Sequence, residues 1–257
     1  LLAAERGVGD ILSADTFDWC INCAGAASVG ASLLAPRKDF ELNTSLIADL
    51  LDGIRTHNPK CRFLNISSAA VYGNPTTLPI NENASCAPIS PYGYHKYMAE
   101  LLCQEYHQLF GLQTCSVRIF SAYGPGLSKQ LLWDTFRKMQ QNPDHITLYG
   151  TGEETRDYIY ISDIIQQMDL ILRNADFTGE SINVANGRQI SIKTVAHQIK
   201  ECMDYPGAIG FNGQNRPGDP LFWEADISKV RDLGYQQQVS FEEGVAQFTD
   251  WAKKYKA

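Results

Sequence analysis

Apolar and polar positions along this chain switch between two periods, and each switch marks an element. Phe17 to Ala24 (FDWCINCA) is a short apolar run ending in small residues, the pattern of a strand buried in a parallel sheet. Ala24-Gly25-Ala26-Ala27-Ser28 follows as a small-residue turn where a ligand could approach the backbone. From Pro36 to His57, Phe40, Leu42, Leu46, Ile47, Leu50, Leu51 and Ile54 recur at helical spacing, and Pro36 suits a first helical turn. Arg62 to Ser67 predicts a second strand, running into Ser68. Tyr92 to Phe110 predicts a second long helix, with Tyr94, Met98, Leu101, Leu102 and Leu109 in a broad stripe and Gly111 as its stop. Gln113 to Phe120 is the third strand. This alternation predicts an α/β fold with a parallel sheet. The turns AGAAS, SSAAVYG and SAYGPG then lie along the carboxyl edge, where such sheets bind ligands.

Beyond Tyr123 the pattern loosens. Helices are expected over 131–141, over 163–174 with Ser162 as cap, and over 192–203 with Ser191 as cap. Two more are expected after Asp226 and over 241–255. Strands are expected over 146–149, 156–161 and 181–184, and a turn over 215–219.

Composition narrows the classes. The chain of 257 residues can bury a sizeable core, and its 44% apolar and 20% charged residues are ordinary for a globular protein. No apolar run reaches the roughly 18 residues of a membrane span, and the early Glu5 and Arg6 show no secretory pattern. A net charge of -7 argues against nucleic acid or an anionic membrane as partner, so an anionic substrate would need local arginines. The seven cysteines, an odd number, with Cys20, Cys23, Cys61, Cys103 and Cys115 in apolar surroundings, suggest buried, reduced thiols and a cytoplasmic location. Cys20 and Cys23 have metal or redox spacing, but three residues apart in a strand they face opposite sides, and no second pair completes a site; no metal is expected.

The candidate chemistry lies in SPYGYHK, Ser90 to Lys96. Tyr92 and Lys96, four apart, share one helical face. An ammonium group nearby favours a phenolate and lowers its pKa from about 10, which can make a general base near neutral pH. Alone, such a pair is more often surface decoration, so its neighbours must decide.

Five ordered motifs supply that context: NCAGAASVG, SSAAVYG, PYGYHK, VRIFSAYGPG with GTGEETRDYIYISD behind it, and RPGDPLFWEADISK. Over nearly its whole length the chain resembles the extended short-chain dehydrogenases/reductases, in the NAD-dependent epimerase/dehydratase branch that acts on nucleotide-sugars. The resemblance implies a Rossmann-like doubly wound parallel sheet over 1–122 plus about 155–190. It also implies a smaller mixed α/β substrate domain over about 123–154 plus 191–257. The implied catalytic residues are Tyr92, Lys96 and Ser68. Tyr92 takes the proton from the sugar's C4 hydroxyl, Lys96 lowers the tyrosine pKa and holds the cofactor ribose, and Ser68 bonds the C4 oxygen. Ala24, Gly25, Asn43 and Ser67 would line the cofactor, NAD, with NADP not excluded. Ser68, Ser121, Arg156, Arg216, Asp219 and Trp223 would meet the substrate, the arginines at its pyrophosphate. Trp223 matches a position whose bulk limits room for an N-acetyl group at C2. Each residue also has a plainer reading. Ser68 could cap its own turn, Gly25 could serve close packing, and Arg156 could pair with Asp157 on the surface.

Departures from the family pattern narrow the reaction. Ala69 and Ala70 stand where the dehydratases carry an Asp-Glu pair, which argues against dehydration and leaves a simple 4-epimerase. A 4-keto reductase and a non-catalytic nucleotide-sugar binder remain as alternatives. Ser121 replaces a usual Asn, and His95 a usual small residue. The family's opening Gly-x-x-Gly-x-x-Gly unit has no match, so the chain is expected to start after the first βαβ unit, on the order of 50 residues later, and to bind NAD weakly. The helices at 36–57 and 92–110 resemble those that pair in family homodimers.

Overall fold

Parallel strands joined by helices follow from the alternating periods. The computed structural model describes residues 8–214 and 218–255. In chain order the first elements are α1 (Val8–Ala14), β1 (Trp19–Asn22), α2 (Val29–Leu34), α3 (Pro36–Phe40), a π-helical turn (Glu41–Ser45) and α4 (Leu46–His57). They continue with β2 (Arg62–Ser68), a 3-10 turn (Ala69–Tyr72), α5 (Pro91–Phe110) and β3 (Thr114–Ile119). Then come β4 (Ser121–Tyr123), α6 (Gln130–Gln141), β5 (His145–Leu148), β6 (Thr155–Tyr160), α7 (Ile161–Asn174) and β7 (Thr178–Val184). The last are β8 (Gln189–Ser191), α8 (Ile192–Cys202), β9 (Ala208–Phe211), α9 (Ser228–Asp232) and α10 (Phe241–Lys254).

The chain divides into two compact units, the first formed by residues up to Pro75, Glu82–Ile119 and Leu170–Asn183, the second by Thr76–Asn81, Phe120–Asp169 and the residues from Val184 on. Residues 155–169 and 184–190, expected with the cofactor half, therefore count with the second unit. The reason is pairing: β6 bonds to β4 and β8, not to the larger sheet.

In the first unit the sheet order is β1-β2-β3-β7, with β1, β2 and β3 parallel. This is the expected α/β, Rossmann-like class. Leu51 and Ile54 of α4, Ala99 and Cys103 of α5 and Leu12 of α1 bury their side chains with Phe63 of β2, each larger one contributing about 1.5–3 kcal/mol. β1 is shorter and less buried than its apolar run suggested. It is an edge strand among the described residues, and Trp19 (45% exposed) and Ile21 (41%) project from an uncovered face. Of the cysteines expected inside, Cys61, Cys103 and Cys115 are buried, Cys20 is half-buried and Cys23 is exposed.

The single helix expected over 36–57 is broken in phase. At Glu41–Ser45 it widens into a π turn, the Leu46 N–H reaching back to the Glu41 carbonyl. α5 begins with Ser90 as N-cap, its hydroxyl accepting from the Gly93 N–H, and Pro91 at the first position. It ends at Gly111, which adopts φ +72°. Gly93 lets α5 approach the 3-10 turn, since a Cβ there would lie 2.6 Å from the Ala70 carbonyl oxygen. α7 starts at Ile161, directly from β6, so Ser162 lies inside its first turn.

A buried ion pair ties these elements together. Arg118 of β3 donates through Nη2 to Glu100 Oε2 of α5 at 2.7 Å and through Nε to both carboxylate oxygens. Its Nη1 donates to the Tyr72 hydroxyl and the Glu82 carbonyl. Glu100 also accepts from the hydroxyls of Ser67 and Ser181. Burial works against the Arg118 charge, but the Glu100 contact more than offsets it and holds the guanidinium fully protonated.

The second unit has a β4-β6-β8 sheet and a parallel β5–β9 pair. Its core is aromatic: Tyr123 packs against Tyr158, Tyr160 and Phe241 with ring centroids 5.5–6.1 Å apart. The buried Asp157 accepts from the backbone N–H groups of Asn186, Gly187, Arg188 and Ala225. Among the described residues no helix is long and apolar enough to cross a membrane.

Truncating one partner of a buried pair strands the other charge. Glu100→Ala is expected to cost about 3–5 kcal/mol in urea unfolding. Replacing both partners, Glu100→Leu with Arg118→Met, should recover most of that loss; equal losses for the single and double variants would contradict the role given to the pair.

Candidate active site

Tyr92, Ser68 and Lys96 meet in the first unit because α5 and the end of β2 are held in register. Ser68 is the last residue of β2 and the N-cap of the 3-10 turn, its hydroxyl accepting from the Ala70 N–H at 3.2 Å. Ser68 also acts on Tyr92, opposing the rise in the phenol's pKa, so it both caps its turn and is an electrostatic neighbour of the phenol. The Tyr92 N–H donates to the buried Ser32 Oγ of α2 at 3.1 Å. One turn further along α5, Lys96 is only 6% exposed. Its Nζ donates to the Ile66 carbonyl at 2.9 Å and lies 5.9 Å from the Tyr92 ring centroid.

The electrostatics differ from expectation. The Tyr92 pKa lies above its ordinary value, not below it. Burial raises it first, Ser68 opposes, and the negative charge of Asp39 raises it further. The Lys96 ammonium is engaged by a backbone carbonyl and the ring face, and it is itself perturbed. Burial lowers its pKa to about 8, against the pull of Asp39 and Glu100.

Beside Lys96 the turn after β1 is pinned at both ends. Asn22 Oδ1 accepts from the Ala24 N–H, and Asn43 Oδ1, from the π turn, accepts from the Ala26 N–H, both at 3.2 Å. Gly25 takes φ +141°, and a Cβ there would lie 2.8 Å from Asn43 Oδ1 and 3.7 Å from Lys96 Nζ. Asn43 is 1% exposed, and its Nδ2 has no hydrogen-bond partner. A bare backbone at Gly25 beside an unspent buried donor fits a dinucleotide laid against this turn. Ser67 does not share in this through its side chain. Strand alternation turns it to the face opposite Ser68, where it is buried against Glu100.

In the second unit Arg156 of β6 donates to the carbonyls of Thr155 and Leu221 and stacks over Trp223, 5.6 Å from the ring centroid. Trp223 is 7% exposed and packs edge-on against Phe120. Burial lowers the Arg156 pKa, and Tyr158, Asp219 and Glu154 counter it, so Asp219 is an electrostatic neighbour of Arg156. Asp157 is spent on backbone N–H groups, which removes the surface-pair reading of Arg156. Ser121 pairs with Tyr158 in the adjoining strand. Arg216 lies outside the described residues.

Two charged partners escaped the sequence reading. His95 Nδ1 lies 2.6 Å from Oδ2 of Asp39, which is 4% exposed. Glu100 sits one turn beyond Lys96 on α5. The only available hints were charged residues at apolar-stripe positions and the substitution at His95.

The model of the family described as GDP-mannose 4,6 dehydratase matches residues 2–248. An uncharacterized UDP-glucose epimerase of Bacillus subtilis is 29% identical over 79% of this chain and 64% of its own length. A UDP-glucuronate 4-epimerase of Thermodesulfobacterium geofontis is 29% identical over 91% of this chain and 72% of its own. Among solved structures, UDP-glucuronic acid 4-epimerase from Bacillus cereus, in complex with UDP-glucuronic acid and NAD, superposes with a TM-score of 0.89 at 26% identity. That match covers 98% of this chain and 79% of the other.

Lys96 makes stability depend on pH. Its pKa falls from 10.5 to about 8 on folding, so between those values the unfolded chain binds more protons and stability rises with pH. A Lys96→Met variant should be more stable than the parent by about 3 kcal/mol near pH 7, the two converging as pH approaches 10.5. Urea midpoints measured across that window check this, and parallel curves would contradict it.

Proposed function

Because the chain belongs to the GDP-mannose 4,6 dehydratase family, within the extended short-chain dehydrogenases/reductases, we propose that it is an NAD-dependent epimerase acting on a nucleotide-sugar through a 4-keto intermediate. The observation that carries this reading is Lys96 Nζ set 5.9 Å from the Tyr92 ring one turn along the same helix, with Ser68 acting on the same phenol and two alanines directly after Ser68. NAD, when bound, supplies the acceptor and donor of the C4 hydride. Gly25, Asn43 and Lys96 would hold it, as the open backbone and the unspent Asn43 Nδ2 allow.

Tyr92 Oη takes the proton of the C4 hydroxyl and returns it after the sugar has turned over. Ser68 Oγ orients the C4 oxygen toward it and stabilises the phenolate by its hydrogen bond. Lys96 supplies positive charge on the same helix face. Ala69 and Ala70 carry no group that can remove or deliver a proton, so chemistry stops at C4 and no water is expelled from C5 and C6. Arg156 is the group suited to the substrate pyrophosphate, with Trp223 as the platform beneath its guanidinium and Asp219 as its charge partner.

We also propose that two copies associate through α3–α4 and α5. Support comes from Phe40, Leu42, Tyr94, Met98 and Leu101, which are exposed apolar residues on these helices.

With NAD supplied, conversion of UDP-glucose or UDP-glucuronate to its C4 epimer is expected without net change in absorbance at 340 nm; stoichiometric oxidation of NADH supplied together with a 4-keto nucleotide-sugar would instead indicate a reductase. Tyr92→Phe should lower kcat by roughly 100- to 10,000-fold, and unchanged turnover would remove this mechanism. Sedimentation should show a dimer that Met98→Lys with Leu101→Lys converts to monomer.

A further inference from the structure

Outside the Ser68–Tyr92–Lys96 group, the least expected polar feature of the first unit is the contact between α3 and α5 through Asp39 and His95. Asp39 is buried on a short helix beside an α5 residue that faces a cavity, a costly place for a carboxylate unless it is paired. One oxygen is paired: Oδ2 lies 2.6 Å from His95 Nδ1. An ionised carboxylate can only accept, so Nδ1 carries the proton. The other oxygen, Oδ1, is buried without a partner. His95 is also held by two neighbours and borders open space. Thr44 of the π turn donates to its carbonyl at 3.0 Å, Phe40 packs edge-on at 5.5 Å, and the ring lines a cavity of about 530 Å³ with Pro36, Arg37, Glu41 and Ser45. On α5, His95 lies three residues after Tyr92, on the same side of the helix, and directly before Lys96.

We propose that the Asp39–His95 pair is a positioning device for the Tyr92–Lys96 site, locking α3 to α5 and holding a buried negative charge beside both residues. The charge acts on the two in the same direction. It makes the Tyr92 phenolate harder to form and the Lys96 ammonium easier to keep. The other charged groups around the pair cannot replace it. Arg37 and Glu41 form an exposed ion pair with each other, 3.0 Å apart, and Glu100 is engaged by Arg118. Asp39 thus works as a counterweight that keeps Tyr92 protonated and Lys96 charged until a cationic or proton-accepting group joins the site. Its relevance to proton transfer rests on the proposed epimerase reading; its effect on the two titrations does not.

The test is titration by NMR of protein labelled with ¹³Cζ-tyrosine and ¹³Cε-lysine, with Tyr92→Phe and Lys96→Arg to assign the signals. In Asp39→Asn, which keeps an acceptor for His95 without the charge, Tyr92 and Lys96 should both titrate at lower pH, each by about half a unit or more. A role in packing alone predicts a different pattern: an opened site would let Tyr92 fall toward 10 while Lys96 rises toward 10.5. That pattern, or no shift in either residue, overturns the proposal. If Asp39→Asn does not fold, Asp39→Leu with His95→Ala removes the charge in an apolar pair and predicts the same two downward shifts. The acid limb of kcat/KM for epimerisation should move to lower pH in step with Tyr92. Downward shifts in both titrations without any epimerisation by the parent protein would uphold the pair and reject the proposed reaction.

Discussion

The geometry of the first unit depends on one buried ion pair. Glu100 and Arg118 lie on α5 and β3, yet between them they also bind Ser67 on β2, Ser181 on β7, Tyr72 in the 3-10 turn and the Glu82 carbonyl. A charge taken out of water must be fully surrounded by partners to be tolerated, and those partners must come from elements that stay in place. Glu100 is one helical turn from Lys96 and two from Tyr92. Ser67 is the residue before Ser68. Fixing Glu100 against Ser67 therefore fixes the helix that bears the tyrosine against the strand end that bears Ser68.

The long elements were legible in the sequence because their periods run for three turns or more. α5 begins within one residue of its expected start and stops at Gly111, and β2 and β3 lie where the apolar runs placed them. The three-residue strands β4 and β8 were not legible, since so short a run has no measurable period. The π turn was hidden for the opposite reason: Phe40, Leu46 and Ile47 continue an apolar stripe through it, and one extra residue is within the tolerance of such a stripe. β1 was read as buried because its composition is apolar, but burial depends on what covers a strand, which its own sequence does not state.

The candidate site divides along a similar line. Tyr92, Lys96 and Ser68 could be found because four-residue spacing on a helix and a strand-end hydroxyl are local patterns. The Ser67 hydroxyl faces Glu100 instead of the turn after β1, which strand alternation alone could have revealed. Asp39 is 56 residues from His95, and nothing local links them. The direction of the Tyr92 shift also depends on burial, a property of the assembled unit, so a nearby lysine did not by itself decide it.

The π turn carries a geometric consequence. It holds one more residue than an α-helical turn would, so α3 and α4 are set at different rotational phases of one continuous rod. α4 takes its phase from the sheet core, through Ile47, Leu51 and Ile54. α3 is free to take its phase from α5, and it presents Asp39 to His95. Winding the same five residues, 41–45, as ordinary α-helix would put both segments on a single phase and swing α3 by about 100° about the axis. The hydrophobic seat of α4 would survive, but Asp39 would no longer point at α5. The surplus residue works as a gear offset between a helix bound to the core and a helix bound to the chemistry.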